Sequence, residues 1–192
     1  MPKMYVIQTG RTTWDDQTRV DSAPGAPLTE SGQQDVQDVA KELASRAISI
    51  VYASAGQAEQ ETAQLVARAL GAKVRVNKDL RELDYGLWQG LTREEIKRRQ
   101  PSLYRQWTEA PASVRPPGGE TLQEALERLG EAMRNILKRH RNGGALVVLR
   151  PVALGLVKCL LRRDGVESLW DNVNETSSLD VFEAGMNDLD GS

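Results

Sequence analysis

The sequence predicts an α/β fold: a three-layer sandwich whose mostly parallel central sheet carries helices on both faces. Three observations predict it. Short apolar runs alternate with segments of helical periodicity along most of the 192 residues. The run Ala145-Leu146-Val147-Val148-Leu149 is apolar at every position, as a strand covered on both sides requires. The helical segments also carry start and stop chemistry at their ends.

Met4-Tyr5-Val6-Ile7 is the first expected strand, and the polar stretch from Thr9 to Pro27 is expected as a long loop. Long loops after strands often carry sites. Val36, Val39, Ala40 and Leu43 then form the apolar stripe of a helix running from Ser31 to near Arg46. Ile48 to Tyr52 is the second strand. A further stripe, Thr62, Leu65, Val66 and Ala69, stops at Gly71, and Lys73 to Val76 follows as the third strand.

Thr92 and Glu95 form a capping box that opens a short helix closed by Pro101. Pro116-Pro117-Gly118-Gly119 is a turn. Thr121 and Glu124 form another capping box, starting the longest helix, whose stripe Leu122, Leu126, Leu129, Met133 and Ile136 ends before Asn142-Gly143-Gly144. After the apolar strand at 145–149, Pro151 suits the first position of a helix reaching Leu161. Leu179 to Phe182 alternates like a final strand, and 187–192 reads as a frayed polar tail beyond a single domain at 1–186. Ligands are expected at the carboxyl ends of the strands.

A net charge of -2, with 27% charged residues of both signs, gives no overall attraction to nucleic acid or an anionic membrane. The basic residues between Arg93 and Arg105 are interleaved with Glu94 and Glu95, the pattern of a solvated helix face. No apolar stretch approaches the roughly 20 residues that span a bilayer, so a cytoplasmic protein is expected. The lone Cys159 lies in an apolar run and reads as a small buried hydrophobe.

Six segments, taken in order, resemble the histidine phosphatase (phosphoglycerate mutase-like) superfamily: Tyr5-Val6-Ile7-Gln8-Thr9-Gly10-Arg11-Thr12-Thr13-Trp14, Pro27-Leu28-Thr29-Glu30-Ser31-Gly32, Val51-Tyr52-Ala53-Ser54, Leu80 through Gly90, Pro116 through Thr121, and Ala145 through Val148. The resemblance covers nearly the whole chain. It implies a phosphoglycerate mutase-like fold and a phosphoryl-transfer pocket. In that family the first strand ends in Arg-His-Gly, whose histidine attacks phosphorus, and here Gln8, Thr9 and Gly10 occupy those positions. A phosphate-clamping arginine after the second strand is matched by Ala58. The second catalytic histidine, after the central strand, is matched by Arg150. Asp15 stands where an asparagine often follows the family's tryptophan, and Arg19 matches an arginine near the phosphate pocket. Of the usual catalytic set, the resemblance leaves the general-acid carboxylate, Glu82.

Phosphoryl transfer needs a placed nucleophile and positive donors aimed at oxygens whose charge grows in the transition state. Thr9 is a hydroxyl with no histidine near it in sequence, and the single histidine, His140, falls at the end of the longest helix among Arg139, Arg141 and Asn142. The sequence therefore favours a pseudoenzyme that acts by binding a ligand or a protein. A phosphatase or mutase with residual activity, or one rebuilt around Glu82, Asp15 and Thr9, stands as the alternative. No cofactor and no metal is expected, although Asp15, Asp16, Asp21 and Glu82 are the residue types of a hard-cation site.

For the vestigial pocket two expectations stand side by side. Gly10, Arg11, Asp15, Arg19, Glu82 and Arg150 hold a phosphorylated or carboxylated small molecule, with backbone amides after Pro151 adding affinity. Otherwise Arg150 pairs with Glu82 or Asp15 and fills the site. A protein partner or a homodimer is compatible with both. Tyr85 and Trp88 are expected as packing and loop anchors rather than a ligand cage.

Overall fold

The computed structural model describes residues 4–21, 24–175 and 182–184. Among the described residues the sheet has five strands: β1 (Met4–Gln8), β2 (Ile50–Ala53), β3 (Lys73–Val76), β4 (Ala145–Leu149) and β5 (Phe182–Ala184). They lie in the order β3-β2-β4-β1-β5. The first four run parallel, and β5 is antiparallel to β1. Of the expected final strand, Leu179 to Val181 lies outside the described residues, as does the 187–192 tail.

The helices are α1 (Thr13–Asp16), α2 (Glu30–Leu43), α3 (Gln57–Leu70), α4 (Arg93–Arg99), α5 (Pro101–Glu109), α6 (Leu122–Arg139), α7 (Pro151–Arg162) and α8 (Leu169–Asn174). Side-chain alternation along the sheet divides the core into two layers. Ala145, Val147 and Leu149 of β4 join Met4 and Val6 against α6 and α7. Leu146 and Val148 join Ile7 and Val51 against α2 and α3. That division is the physical reason β4 is apolar at every position.

Three local differences from the sequence-based expectation have identifiable causes. Within the 9–27 stretch, Thr12 caps α1: its hydroxyl accepts from the Asp15 amide, while the Asp15 carboxylate accepts from the Thr12 amide. This reciprocal box makes four residues helical inside what periodicity presents as loop. Pro101 ends α4 but also sits at the first position of α5, where its missing N–H costs nothing. The second strand begins at Ile50, because the Ser49 and Ile50 amides both bond the Gly144 carbonyl at its entrance.

The loop after β1 is pressed against the first turn of α2 through two glycines. A Cβ on Gly32 would lie 2.3 Å from the Arg11 carbonyl oxygen, and one on Gly10 would lie 2.6 Å from the Gly32 carbonyl oxygen. Backbone stands against backbone, so neither side can yield by changing rotamer. Gly32→Ala should destabilise the protein by about 1–3 kcal/mol, with Gln33→Ala on the exposed face staying within about 0.5 kcal/mol in urea unfolding. Equal midpoints for the two variants would contradict the close approach.

Candidate functional site

The site grows from the parallel register. Gln8 lies opposite Leu149, and the Thr9 amide donates to the Leu149 carbonyl at 2.9 Å. Thr9 and Arg150 are thereby the first residues beyond the carboxyl ends of two neighbouring strands, where an open α/β sheet presents ligands. Arg150 is the N-cap of α7. Its side chain turns into the protein, and the residue is 4% exposed.

Both terminal nitrogens of the Arg150 guanidinium are committed, while its buried Nε has no hydrogen-bond partner among the described residues. One terminal nitrogen donates to the Asp15 carboxylate at 3.0 Å and stands 3.3 Å from Asp21. The other donates to Asp15 and to the Thr9 hydroxyl, both at 3.3 Å. Asp15 is delivered by the capping box of α1, so a local signal in the sequence fixes one half of this long-range ion pair. Of the two expectations for Arg150, the structure realises the pairing with Asp15 and adds Asp21 to it.

Glu82 follows a 3-10 turn at Lys78–Leu80 and is 2% exposed. Its carboxylate accepts from the amides of Leu83 (2.7 Å), Val152 (2.9 Å) and Ala153 (2.7 Å). Two of these donors belong to the first turn of α7. A helix start of this kind is a ready anion seat, and here the chain's own carboxylate occupies it. At the start of α3 the buried Glu59 carboxylate folds back over Gly56 and accepts from the Ser54 hydroxyl at 2.9 Å. Ala58, on the same first turn, is buried and apolar.

The electrostatics follow from burial. Burial drives the Glu82 carboxyl up to about 7, against the pull of the Leu83 amide and Arg150. Asp21 is likewise raised by burial, to about 6, with Asp15 and Glu59 adding repulsion and Arg150 opposing. For Asp15 burial also pushes upward, yet Arg150 and the Thr12 bonds outweigh it, and the carboxyl is held below the usual range. The Arg150 guanidinium is desolvated, but its acidic neighbours keep it charged.

A pH dependence of stability is expected from the two raised groups. In the unfolded chain they titrate near 3.8 and 4.5, and in the folded chain near 6 and 7. Between about pH 4 and pH 7 the native state holds more protons, so stability falls as pH rises through this window, by an amount on the order of a few kcal/mol. Urea midpoints measured from pH 5 to pH 8 should decline, and Asp21→Asn should flatten the decline. A midpoint that climbs with pH would refute the burial assigned to these carboxyls.

The other expected residues disperse. Arg11 is exposed and pairs with Asp16, away from Arg150. Arg19 reaches the rim, where it donates to Gln17 and to the Gly90 carbonyl, each at 2.7 Å. Gly10 donates its amide to Thr62. Gln8 is half-buried at the end of β1. His140 caps the end of α6, away from Arg150, hydrogen-bonded to the Tyr52 hydroxyl of β2 at 2.8 Å. Burial, then Arg75 and Arg139, lower its affinity for a proton. Among the described residues, no three acidic, histidine or cysteine side chains are arranged to hold a metal, and no helix is long and apolar enough to cross a membrane.

Above Arg150 and Glu82 opens a cleft of about 360 Å³. Its wall is a chain of edge-to-face rings. Trp107 meets Tyr85, Trp88 and Trp170 at centroid separations of 6.2, 5.9 and 5.2 Å. Tyr85 and Trp88 are buried, as expected of anchors, but they also line the cleft. Sequence reasoning missed Glu59, Trp107, Tyr104 and Trp170. The aromatics carry a usable signal, large rings on short helices otherwise rich in polar residues. Glu59 has none, since a carboxylate in the first turn of a helix is ordinary.

A mostly parallel sheet with helices on both faces, and a cleft at its carboxyl edge built from strand-end residues and a helix start, define a phosphoglycerate mutase-like α/β protein. The chain belongs to the histidine phosphatase superfamily (branch 1), whose sequence pattern matches residues 4–188. It is 26% identical over 182 residues to phosphoserine phosphatase 1 of Hydrogenobacter thermophilus, covering 95% of this chain and 86% of that one. It is 34% identical over 182 residues to the bifunctional protein Rv2228c of Mycobacterium tuberculosis, matching 94% of this chain but only 50% of the longer protein. Among solved structures, Bacillus stearothermophilus YhfR superposes with a TM-score of 0.87 at 25% identity, over 94% of this chain and 90% of that one.

Proposed function

We propose that this chain is a non-catalytic histidine-phosphatase-like protein that acts by binding. The observation that carries the proposal is the occupation of the phosphoryl site by the chain's own charges. Arg150 is clamped by Asp15 and Asp21, and the α7 amides are taken by Glu82. A phosphoryl group entering here would have to displace both sets of bonds, and at the cleft floor it would meet the carboxylates of Asp15, Asp21 and Glu82 against the one buried guanidinium of Arg150, Arg19 and Arg93 standing at the rim.

The missing nucleophile supports the same reading. The Thr9 hydroxyl is 1% exposed and accepts from Arg150, an arrangement that offers no base for its proton. Loss of a nucleophile lowers turnover by roughly 10⁶. A second reading, an enzyme rebuilt around Glu82, Asp15 and Thr9, draws on one observation: a carboxyl titrating near 7 suits a general acid at neutral pH. The phosphatase named among the relatives is in keeping with it.

Hydrolysis of p-nitrophenyl phosphate separates the two. The binding reading expects no turnover above buffer from pH 5 to pH 8, and no phosphorylated side chain by mass spectrometry. Turnover that disappears in Glu82→Gln would establish the rebuilt enzyme instead.

A further inference from the structure

The cleft floor contains an unsatisfied acceptor. Asp21 lines the cavity with a side chain 3% exposed, and neither carboxylate oxygen has a well-formed hydrogen bond among the described residues. The Ala26 amide is a backbone donor to it, and Arg150, 3.3 Å away, is shared with Asp15. A buried carboxylate supplied only by a shared guanidinium and a distant amide is under-satisfied, at a cost on the order of 1–3 kcal/mol, which a ligand carrying N–H donors would reduce.

The wall narrows the chemistry of such a ligand. The indole N–H groups of Trp88 and Trp170 are already given to Gln100 and to the Trp107 carbonyl. These two rings therefore add no free indole donor for an anion and leave their apolar surfaces to the cavity. Such faces attract cations and apolar bodies. At the rim, Arg19 is held by Gln17 and Gly90, while Arg93 is exposed to solvent. The floor beneath carries the carboxylates of Asp15, Asp21 and Glu82 beside the guanidinium of Arg150, with Arg19 and Arg93 confined to the rim.

We propose that the cleft binds an organic primary ammonium carried on an aromatic or other apolar body, with its N–H donors on Asp21 and its body against the Trp107–Trp170 wall. The proposal rests on reading the cleft as a binding site, and it gives that site a ligand class opposite in charge to a phosphate. A carboxylate short of well-formed hydrogen bonds favours a primary ammonium, with three donors, over a quaternary one, with none. The cavity volume lies in the range of small-molecule sites.

Calorimetric titration of the full chain near pH 8 with phenethylammonium, 2-phenylethanol, phenylacetate and inorganic phosphate tests it. Phenethylammonium should bind roughly 10-fold or more tightly than each of the other three, which separates charge from apolar contact. Asp21→Asn should abolish that preference. Should the variant fail to fold, pH serves in its place. The titratable and charged groups facing Asp21 are Asp15, Glu59, Tyr85 and Arg150, with Glu82 on the same cleft floor and Arg19 and Arg93 at the rim, and an ammonium selects the ionised carboxylates. Its affinity should therefore rise from about pH 5 to about pH 8 with protons released, while that of the alcohol stays flat. No binding of phenethylammonium up to about 10 mM, equal affinity for the alcohol, or tighter phosphate overturns the proposal. Failure here, without phosphate-ester turnover, leaves the non-catalytic reading standing; turnover with ammonium binding would do the reverse.

Discussion

Arg150→Ala is expected to lower stability by about 3–5 kcal/mol near pH 8, the cost of removing one partner from a buried ion-pair cluster. The reason is the commitment of its guanidinium to Asp15, Asp21 and Thr9 in a site almost closed to water. Without it, carboxylates that it held ionised stand together in a low dielectric. They can escape only by taking up protons, so the loss should shrink as pH falls toward 5. Arg150→Met, which keeps most of the side-chain volume, should remain costly alone and recover much of the loss when combined with Asp15→Asn and Asp21→Asn. Urea unfolding at both pH values measures this, and a variant within about 0.5 kcal/mol of wild type near pH 8 would mean that the cluster contributes nothing.

Glu82→Ala should cost about 2–5 kcal/mol, since it strands the Leu83, Val152 and Ala153 amides and leaves a cavity beneath α7. Glu82→Gln is the informative contrast. Its amide oxygen still accepts at the helix start but its nitrogen cannot, so it should fall between wild type and alanine. It should also remove the part of the pH dependence that Glu82 carries as it titrates near 7. If alanine and glutamine lose the same amount, the carboxylate is not serving as the acceptor for α7.

Both variants probe positions that the sequence singles out without disclosing their use. The resemblance sets Glu82 at a general-acid position, and in the folded chain its oxygens accept from backbone amides 70 and 71 residues away. The resemblance sets Arg150 at the position of the family's second histidine. Its pairing with Asp15 was one expected outcome; the addition of Asp21 depends on how the 9–21 segment folds back over β4. That segment is steered by α1, a four-residue helix, and by the Gly10 and Gly32 contact. Such features lie below the resolution of periodicity, which needs several turns to declare itself.

The sequence by itself determined the strands, the long helices and their caps, because burial on one face or two leaves its period in the order of residues. It also determined the absence of histidine from positions 9 and 150, as composition cannot be altered by folding. Only the tertiary structure decided that Asp15 and Asp21 meet Arg150 at the cleft floor and that Trp107 and Trp170 wall the cleft. Charges and rings brought together from distant segments acquire their energies from mutual distance and shared burial, and neither quantity is written in a linear chain.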